Sequence, residues 1–251
     1  RPSSSSVSFS DGDDAEEYLL KLFSTAKDLS TNSRELRQAI RDWPSEYHLS
    51  PLRHNLLRPC RFPQRCKVLE VGCGCGAISR QFGELGLELT ALEGSLRRAQ
   101  ITATRCQDLP NVKVVADSFN TFNSSESFDL VTLIGVLEYA QVFCQGEEAV
   151  LRMLRSCFDL LDKNGTLIIA IENKLGLKYF AGHAEDHLGT AFAGIQDLYP
   201  SNGPITFGLK ELIRLCDTAG FGRVEQFFPF PDYKLPEVMI SELGLKDQSF
   251  C

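Results

Sequence analysis

The sequence predicts an α/β fold built on a mostly parallel sheet. Three observations carry that expectation. Apolar runs of strand length alternate with helical patterns from Lys67 to Ile171, which is the signature of βαβ units. The first run enters a glycine-rich turn, Val68-Leu-Glu-Val-Gly-Cys-Gly-Cys-Gly-Ala77, and then a helical stretch. The ends of successive runs carry acids and glycines, and the carboxyl rim of an open α/β sheet is where ligands bind.

Taken in order, residues 1–13 are small, polar and acidic without periodicity, and read as a flexible lead-in. From Asp14 to Asp28, Tyr18, Leu19, Leu22, Phe23 and Ala26 recur at helical spacing behind an acidic first turn. Asn32 or Ser33 is expected to cap a second helix through Trp43, which Pro44 would end. Residues 45–66 hold Pro51, Pro59 and Pro63, so no long regular element is expected there. Residues 14–66 thus form a helical cap and approach segment to a domain over 67–251. In that domain, runs at 67–71, 87–92, 112–116, 128–134 and 166–171 interleave with helical patterns at 77–86, 95–108 and 147–162, the last terminated by Gly165. Residues 174–205 are Gly-rich and irregular, an insertion, and Leu209 to Thr218 is a short helix ending at Gly220. Runs at 222–229 and 236–241 are expected to pair as a hairpin on the sheet edge.

At 251 residues the chain has room for one large domain with an appendage. With 43% hydrophobic and 24% charged residues, disorder is excluded over most of it. Lys plus Arg number 26 against 33 Asp plus Glu, a net charge of −7, so no nucleic-acid partner is expected. No apolar run approaches the roughly 18 residues that span a bilayer, and a cytoplasmic protein without a membrane span is expected. Nine scattered cysteines without a Cys-x-x-Cys fit neither a disulfide framework nor a zinc cage and read as free thiols. The absent initiator Met and the serines at Ser3 to Ser6 are expected of a segment cut from something longer.

Gly72, Gly74 and Gly76 remove Cβ atoms where a ligand must approach the backbone. Alone the turn has two readings, because Gly72-x-Gly74-x-x-Ala77 also fits a dinucleotide fingerprint. Glu70 would repel a pyrophosphate but can accept from a ligand ammonium. Glu93, ending the next run, is placed to accept both hydroxyls of an adenosine ribose. Asp117 can take an adenine amino group while Phe119 packs on the ring. The run from Phe128 ends in Gly135 and the polar pair Glu138 and Tyr139.

Together, Glu70-Val-Gly-Cys-Gly-Cys-Gly76, Glu93, Asp117 and Phe128-Asp-Leu-Val131 resemble the class I S-adenosylmethionine-dependent methyltransferases, over about 65–230. More narrowly, Glu46 to Pro59, Leu92 to Arg98, Ile134 to Tyr139, Ile171 to Phe180, Glu185-Asp-His187 and Phe230 to Pro236 resemble the methyltransferase modules that accompany or are fused to glycosyltransferases in bacterial O-antigen and other surface-polysaccharide pathways. The resemblance implies a Rossmann-like seven-stranded sheet with its last strand antiparallel, behind an N-terminal helical cap. It implies S-adenosylmethionine as cofactor and methylation of a sugar hydroxyl on a glycan or on its lipid-linked or nucleotide-linked precursor. A glycosyltransferase domain is the implied partner, with a place peripheral to the inner membrane through such partners. Glu70, Gly72, Cys73, Gly74 and Gly76 would surround the methionine part of the cofactor, Glu93 and Gly94 the ribose, and Asp117, Ser118 and Phe119 the adenine. Gly135 and Glu138 would form the floor beside the sulfonium. Cys73 and Cys75, a departure from the family pattern, read as small packing residues. Tyr47, His48, Arg53 and Arg58 either cover the cofactor, with an Arg pairing its carboxylate, or lie on the solvated surface.

Methyl transfer to oxygen is an in-line displacement, so the protein must align the groups and remove a hydroxyl proton. His187 is the candidate general base, oriented by Asp186 or Glu185, with Glu138 beside them. His183 and His187 would hold a metal only on a helix and with a third ligand. Gly182 and Gly189 argue against the helix, and no metal is expected. Glu172, Asn173, Lys174, Tyr179, His183 and Tyr233, with Asp232 and Lys234, are the candidate acceptor-binding groups, since aromatic faces and polar edges suit a sugar ring. Core packing of Tyr179 is the alternative. Competing functions are a methyltransferase for a small metabolite or sugar phosphate, a nicotinamide-dependent oxidoreductase, and a non-catalytic partner of a glycosyltransferase.

Overall fold

The structure, a computed structural model, describes residues 12–143 and 148–247. All but the last two residues of the expected lead-in lie outside the described residues, as do Cys144 and Cys251. The seven described cysteines are free thiols.

Helix α1 spans Asp13–Thr25, with Asp13, Asp14 and Glu16 in the first turn where the helix dipole favours acids. Helix α2, Arg34–Gln38, is capped by Ser33, whose hydroxyl accepts from the Leu36 N–H. The expected continuation to Trp43 is broken. Asp42 caps a new helix, α3 at Trp43–Leu49, with Pro44 in its first turn. A proline at a helix start has no N–H to waste and a φ already suited to the helix, so Pro44 begins this element where an ending was expected. Pro51–Leu57 follow as a 3-10 helix, making the proline-rich approach segment more regular than its composition indicates. Leu19, Phe23, Leu36 and Leu49 of this cap pack on Cys75 and Ile101 of the main domain. At that seam the fully buried Arg105 donates to the carbonyls of His48 at 2.9 Å and Cys75 at 3.4 Å, beneath the Phe23 ring. One cation therefore joins the cap to the glycine turn.

The main domain runs β1 (Lys67–Val71), α4 (Ala77–Glu84), β2 (Glu88–Glu93), α5 (Leu96–Arg105), β3 (Val112–Ala116) and β4 (Phe128–Ile134). A 3-10 turn at Leu137–Tyr139, α6 (Ala140–Phe143), α7 (Ala149–Leu160) and β5 (Leu161–Ala170) complete the alternation. The five strands pair in parallel in the order β3-β2-β1-β4-β5. Val68 and Leu69 of β1 and Val131 and Leu133 of β4 are wholly buried, as the central strands of a sheet covered on both faces must be. Strand β5 begins before the expected Thr166: Leu161 pairs with Phe128, an irregularity follows, and Thr166 resumes opposite Leu130.

Helix α8 (Leu177–Phe180) lies in the irregular insertion, and α9 (Leu209–Ala219) ends on Gly220 in the left-handed region, as expected. Strands β6 (Phe227–Phe230) and β7 (Val238–Ser241) pair antiparallel, and α10 (Glu242–Lys246) closes the described chain. They form a separate two-stranded sheet, so the main sheet has five strands where seven were expected. Pro229 sits within β6 and cannot donate to a second ladder, which is one reason the hairpin does not extend the sheet. Its connecting loop instead carries Tyr233 into the core beside Cys73, Ile134 and Ala170. The chain reverses direction of winding between β1 and β4, and the crevice at their carboxyl ends is the switch point where such folds bind ligands.

Candidate active site

A cavity of about 970 Å³ opens at that switch point. At the glycine-turn end of it, the N–H groups of Gly72 and Cys73 both donate to the Leu92 carbonyl, at 2.8 and 3.0 Å, drawing the turn against β2. Gly74 has φ +57°, and a Cβ placed on it would meet nothing within 4 Å, so its face is open to a ligand. Glu93 accepts from the Gly74 N–H at 2.8 Å through Oε2 and from the Ser95 N–H at 2.9 Å through Oε1. Glu70, only 4% exposed, accepts from the Ser79 hydroxyl at 2.5 Å. Burial pushes its carboxyl up to about 8, although Ser79 and Arg53 pull the other way. Gly94, Asp117, Ser118 and Phe119 line the same cavity, with Asp117 Oδ1 accepting from the Ser118 N–H and the Thr121 hydroxyl.

At the other end stand Gly135, Glu138, Tyr139, Glu172, Asp186, His187, Tyr233 and Lys234. His187 Nδ1 is 3.2 Å from Glu185 Oε1, while its Nε2 is 4.0 Å from Glu138 Oε1. Glu185 also accepts from the N–H groups of His187 and Leu188, each at 2.7 Å, and so is fixed beneath the ring. Burial disfavours the charged imidazole, but the bond to Glu185 and the nearby Glu172 and Glu138 outweigh it and raise the His187 pKa. Glu138 is pushed up to about 8 by burial and then by Glu172. Lys234 pairs with Glu172 and, at 3.1 Å, with Asp186, which Lys178 also holds at 2.8 Å.

The structure thus gathers most of the sequence-predicted site and redistributes some roles. Glu185, one of the two acids weighed as the orienting group, contacts His187, whereas Asp186 is bound by two lysines. Arg53 lines the cavity, but its guanidinium donates to the carbonyls of Tyr233 and Lys234 at 3.2 and 3.0 Å and to the Tyr47 hydroxyl at 2.8 Å. It therefore braces the cavity wall from a buried position, and of the two readings left open for it the solvated surface is the one that does not hold. Gly76 is not among the lining residues. A Cβ there would press on Thr102 at 3.0 Å, so this glycine serves packing of α4 on α5. Cys73 and Cys75 are buried yet line the cavity with the turn, and burial raises the Cys73 thiol well above its ordinary value. Asn173, Lys174, Tyr179 and His183 do not line the cavity. Lys174 is drawn to Asp197 and Glu211, Asn173 accepts from the Leu175 N–H, Tyr179 is in the core, and His183 is exposed. Arg58 is likewise exposed and outside the lining.

Sequence reasoning missed Ser79, Thr102 and Arg105. Thr102 donates to the Gly74 carbonyl at 2.8 Å and, with Arg105, holds the turn from behind. The available signal was their spacing: Thr102 and Arg105 fall on the same helical face as the apolar Ala99 and Ile101, where solvated polar groups do not belong.

The cradle suits an adenosine bearing an amino acid. An unobstructed glycine, a carboxylate fixed at the end of β2 and an acid with an aromatic ring after β3 succeed one another along one rim. Residues 69–167 match a family described as "Methyltransferase domain". No curated protein matches the chain. Among solved structures, a SAM-dependent methyltransferase of Methanosarcina mazei aligns with a TM-score of 0.54 at 14% identity, over 76% of this chain and 94% of that one. The CcbJ methyltransferase of Streptomyces caelestis aligns at 0.53 and 16% identity, over 84% and 94%. PigF, solved with SAH, aligns at 0.52 and 19% identity over 71% of this chain, which spans about half (51%) of that protein's length. Residues 69–167 therefore carry the match to a methyltransferase domain, with S-adenosylmethionine as its cofactor, and the sheet around the cavity has the fold of the aligned methyltransferases.

Proposed function

We propose that the protein transfers a methyl group to a hydroxyl oxygen of a saccharide acceptor, a surface glycan or its lipid-linked or nucleotide-linked precursor. When bound, S-adenosylmethionine supplies an electrophilic methyl group on a sulfonium. Glu93 and the Gly74 N–H hold the cofactor side of the cavity, and Gly135 leaves room beside Glu138 for the two reactants to meet. The observation that carries the oxygen-directed reading is the convergence of Glu138, Glu172 and His187 on one end of the cavity. Buried carboxylates and an oriented imidazole bind hydroxyls and draw off their protons, whereas an apolar acceptor would leave them unpaired. The Tyr139 and Tyr233 rings at the same end suit the apolar face of a sugar.

A phosphorylated acceptor fits less well, because Lys178 and Lys234 are already matched by Glu172 and Asp186. A scaffold role is disfavoured by an intact turn and intact acids, which a module that only binds a partner does not need. A glycosyltransferase partner, in the same chain or complex, and a role in polysaccharide assembly belong to this proposal, supported by the sequence resemblance alone. The test is incubation with S-adenosylmethionine and a panel of monosaccharide glycosides, sugar nucleotides and sugar phosphates, reading S-adenosylhomocysteine release and product mass. Methylated glycosides or sugar nucleotides are expected. Cofactor binding with turnover only on sugar phosphates, or on none of the panel, would overturn the proposal.

A further inference from the structure

We infer that Glu138, Glu172 and His187 bind one divalent cation of the magnesium and manganese class at the acceptor end of the cavity. One ligand atom from each, two carboxylate oxygens and a ring nitrogen, lie within 4.8 Å of one another. His187 Nε2 is 4.0 Å from Glu138 Oε1, a gap that one ion roughly 2.1 Å from each atom bridges.

A second observation points the same way. Oε2 of Glu138 and Oε2 of Glu172 are buried and make no hydrogen bond, in residues only 2% and 5% exposed. A buried polar atom without a partner is costly, and two carboxylates facing one cavity call for a positive group between them. His187 already has the arrangement of a ligating histidine, with one ring nitrogen tied to the carboxylate of Glu185 and the other toward the site. The charges agree: among the described ion pairs of this cluster Glu138, Glu172, Glu185 and Asp186 meet Lys178, Lys234 and the His187 ring, and with that ring neutral, as a ligand must be, four acids face two ammonium groups. A divalent cation supplies the difference. A set of two carboxylates and one imidazole, with no thiolate, suits a hard ion, and three protein ligands leave positions for water or acceptor oxygens.

The inference rests on the proposed function in taking this end of the cavity as the acceptor's. It gives His187 Nε2 to the ion, so that the imidazole is a ligand. The ion would hold the acceptor hydroxyl and make it more acidic, and the hydroxyl proton would pass to a solvent water as the oxygen takes the methyl group from the sulfonium. The experiment is a Mn²⁺ titration of the full chain followed by electron paramagnetic resonance of the free ion, with near-ultraviolet circular dichroism to confirm that each variant is folded. One saturable ion per chain is expected for the wild type. Glu138→Gln and Glu172→Gln should abolish it, and Glu185→Gln, which leaves every ligand in place but frees the ring, should weaken it by about 10- to 100-fold. No saturable Mn²⁺ binding by the wild type, or binding unchanged in both ligand variants, would overturn the site and leave His187 as the proton acceptor. The glycoside panel is scored separately, so Mn²⁺ uptake without sugar methylation would uphold the cation site and sink only the proposed function.

Discussion

Glu93 Oε2 accepts the Gly74 N–H at 2.8 Å, so the acid that ends β2 also sets the shape of the glycine turn that follows β1. Its other oxygen accepts from Ser95, and both atoms keep a second lone pair for ligand hydroxyls. Glu93→Gln replaces one accepting oxygen by a donor and sets it against a backbone N–H. Calorimetric titration with S-adenosylhomocysteine should show a loss of about 1–3 kcal/mol, roughly 5- to 150-fold in affinity. Unchanged affinity would remove Glu93 from the cofactor site.

Two glycines of one turn should respond differently to the same methyl group. At Gly72, φ +70°, an added Cβ would stand 2.6 Å from Val136 Cγ2, a collision inside the core. At Gly74, φ +57°, it would touch nothing. Gly74→Ala therefore carries only the left-handed backbone cost of about 1–2 kcal/mol, while its methyl occupies ligand space. Gly72→Ala adds an overpacking cost of about 1–3 kcal/mol. Thermal melting should rank Gly72→Ala as the less stable, and titration should find Gly74→Ala folded but weakened for S-adenosylhomocysteine. The reverse order would mean that the open face of Gly74 is not the ligand's.

What was legible in the sequence was what neighbours along the chain determine. Val68 to Ala77 carries strand, turn and helix start in one word, and Glu93, Asp117 and Gly135 follow from counting strand ends. Arg53 was not legible in its actual role, because its partners Tyr233 and Lys234 lie about 180 positions away and are carbonyls, which any sequence supplies. The same holds for Lys174. Its nearness to the strand end pointed to the cavity, but Asp197 and Glu211 draw its ammonium elsewhere. The choice between Glu185 and Asp186 for His187 depended on the path of an irregular loop, and periodicity carries no information there. Pro44 was misread because a proline after a helical pattern marks an end or a beginning equally well.

Glu70 should make the cofactor-free protein less stable as the pH rises. Burial raises its carboxyl to about 8, above its value in the unfolded chain. The folded state therefore holds a proton that the unfolded state has released, and stability is lost as pH climbs from the ordinary carboxylate range through about 8. The wild type should lose up to about 1.4 kcal/mol per pH unit over that window relative to Glu70→Gln, whose side chain still accepts from Ser79. Melting curves for both proteins between pH 5 and pH 9, about the span of that window, would show converging stabilities at the acid end. Parallel curves would mean that Glu70 is already ionised in the folded protein.

Arg53 joins three stretches of chain. Its guanidinium takes the carbonyls of Tyr233 and Lys234 and the Tyr47 hydroxyl, and lies 4.5 Å from the Tyr47 ring centroid. A lysine has one ammonium where the planar fork has several donors in fixed directions, so Arg53→Lys leaves at least one buried carbonyl unpaired. Each charge-assisted bond of this kind is worth about 1.5–3 kcal/mol, and the substitution should lower stability by about that amount. The loop bearing Tyr233 and Lys234 would loosen first, because Arg53 ties it to the cap. Limited proteolysis should then cut Arg53→Lys between Phe230 and Val238 well before the wild type, and S-adenosylhomocysteine should protect poorly. Equal protection of that loop in both proteins would mean that the hairpin is held by its own packing, and that Arg53 is free to face the ligand.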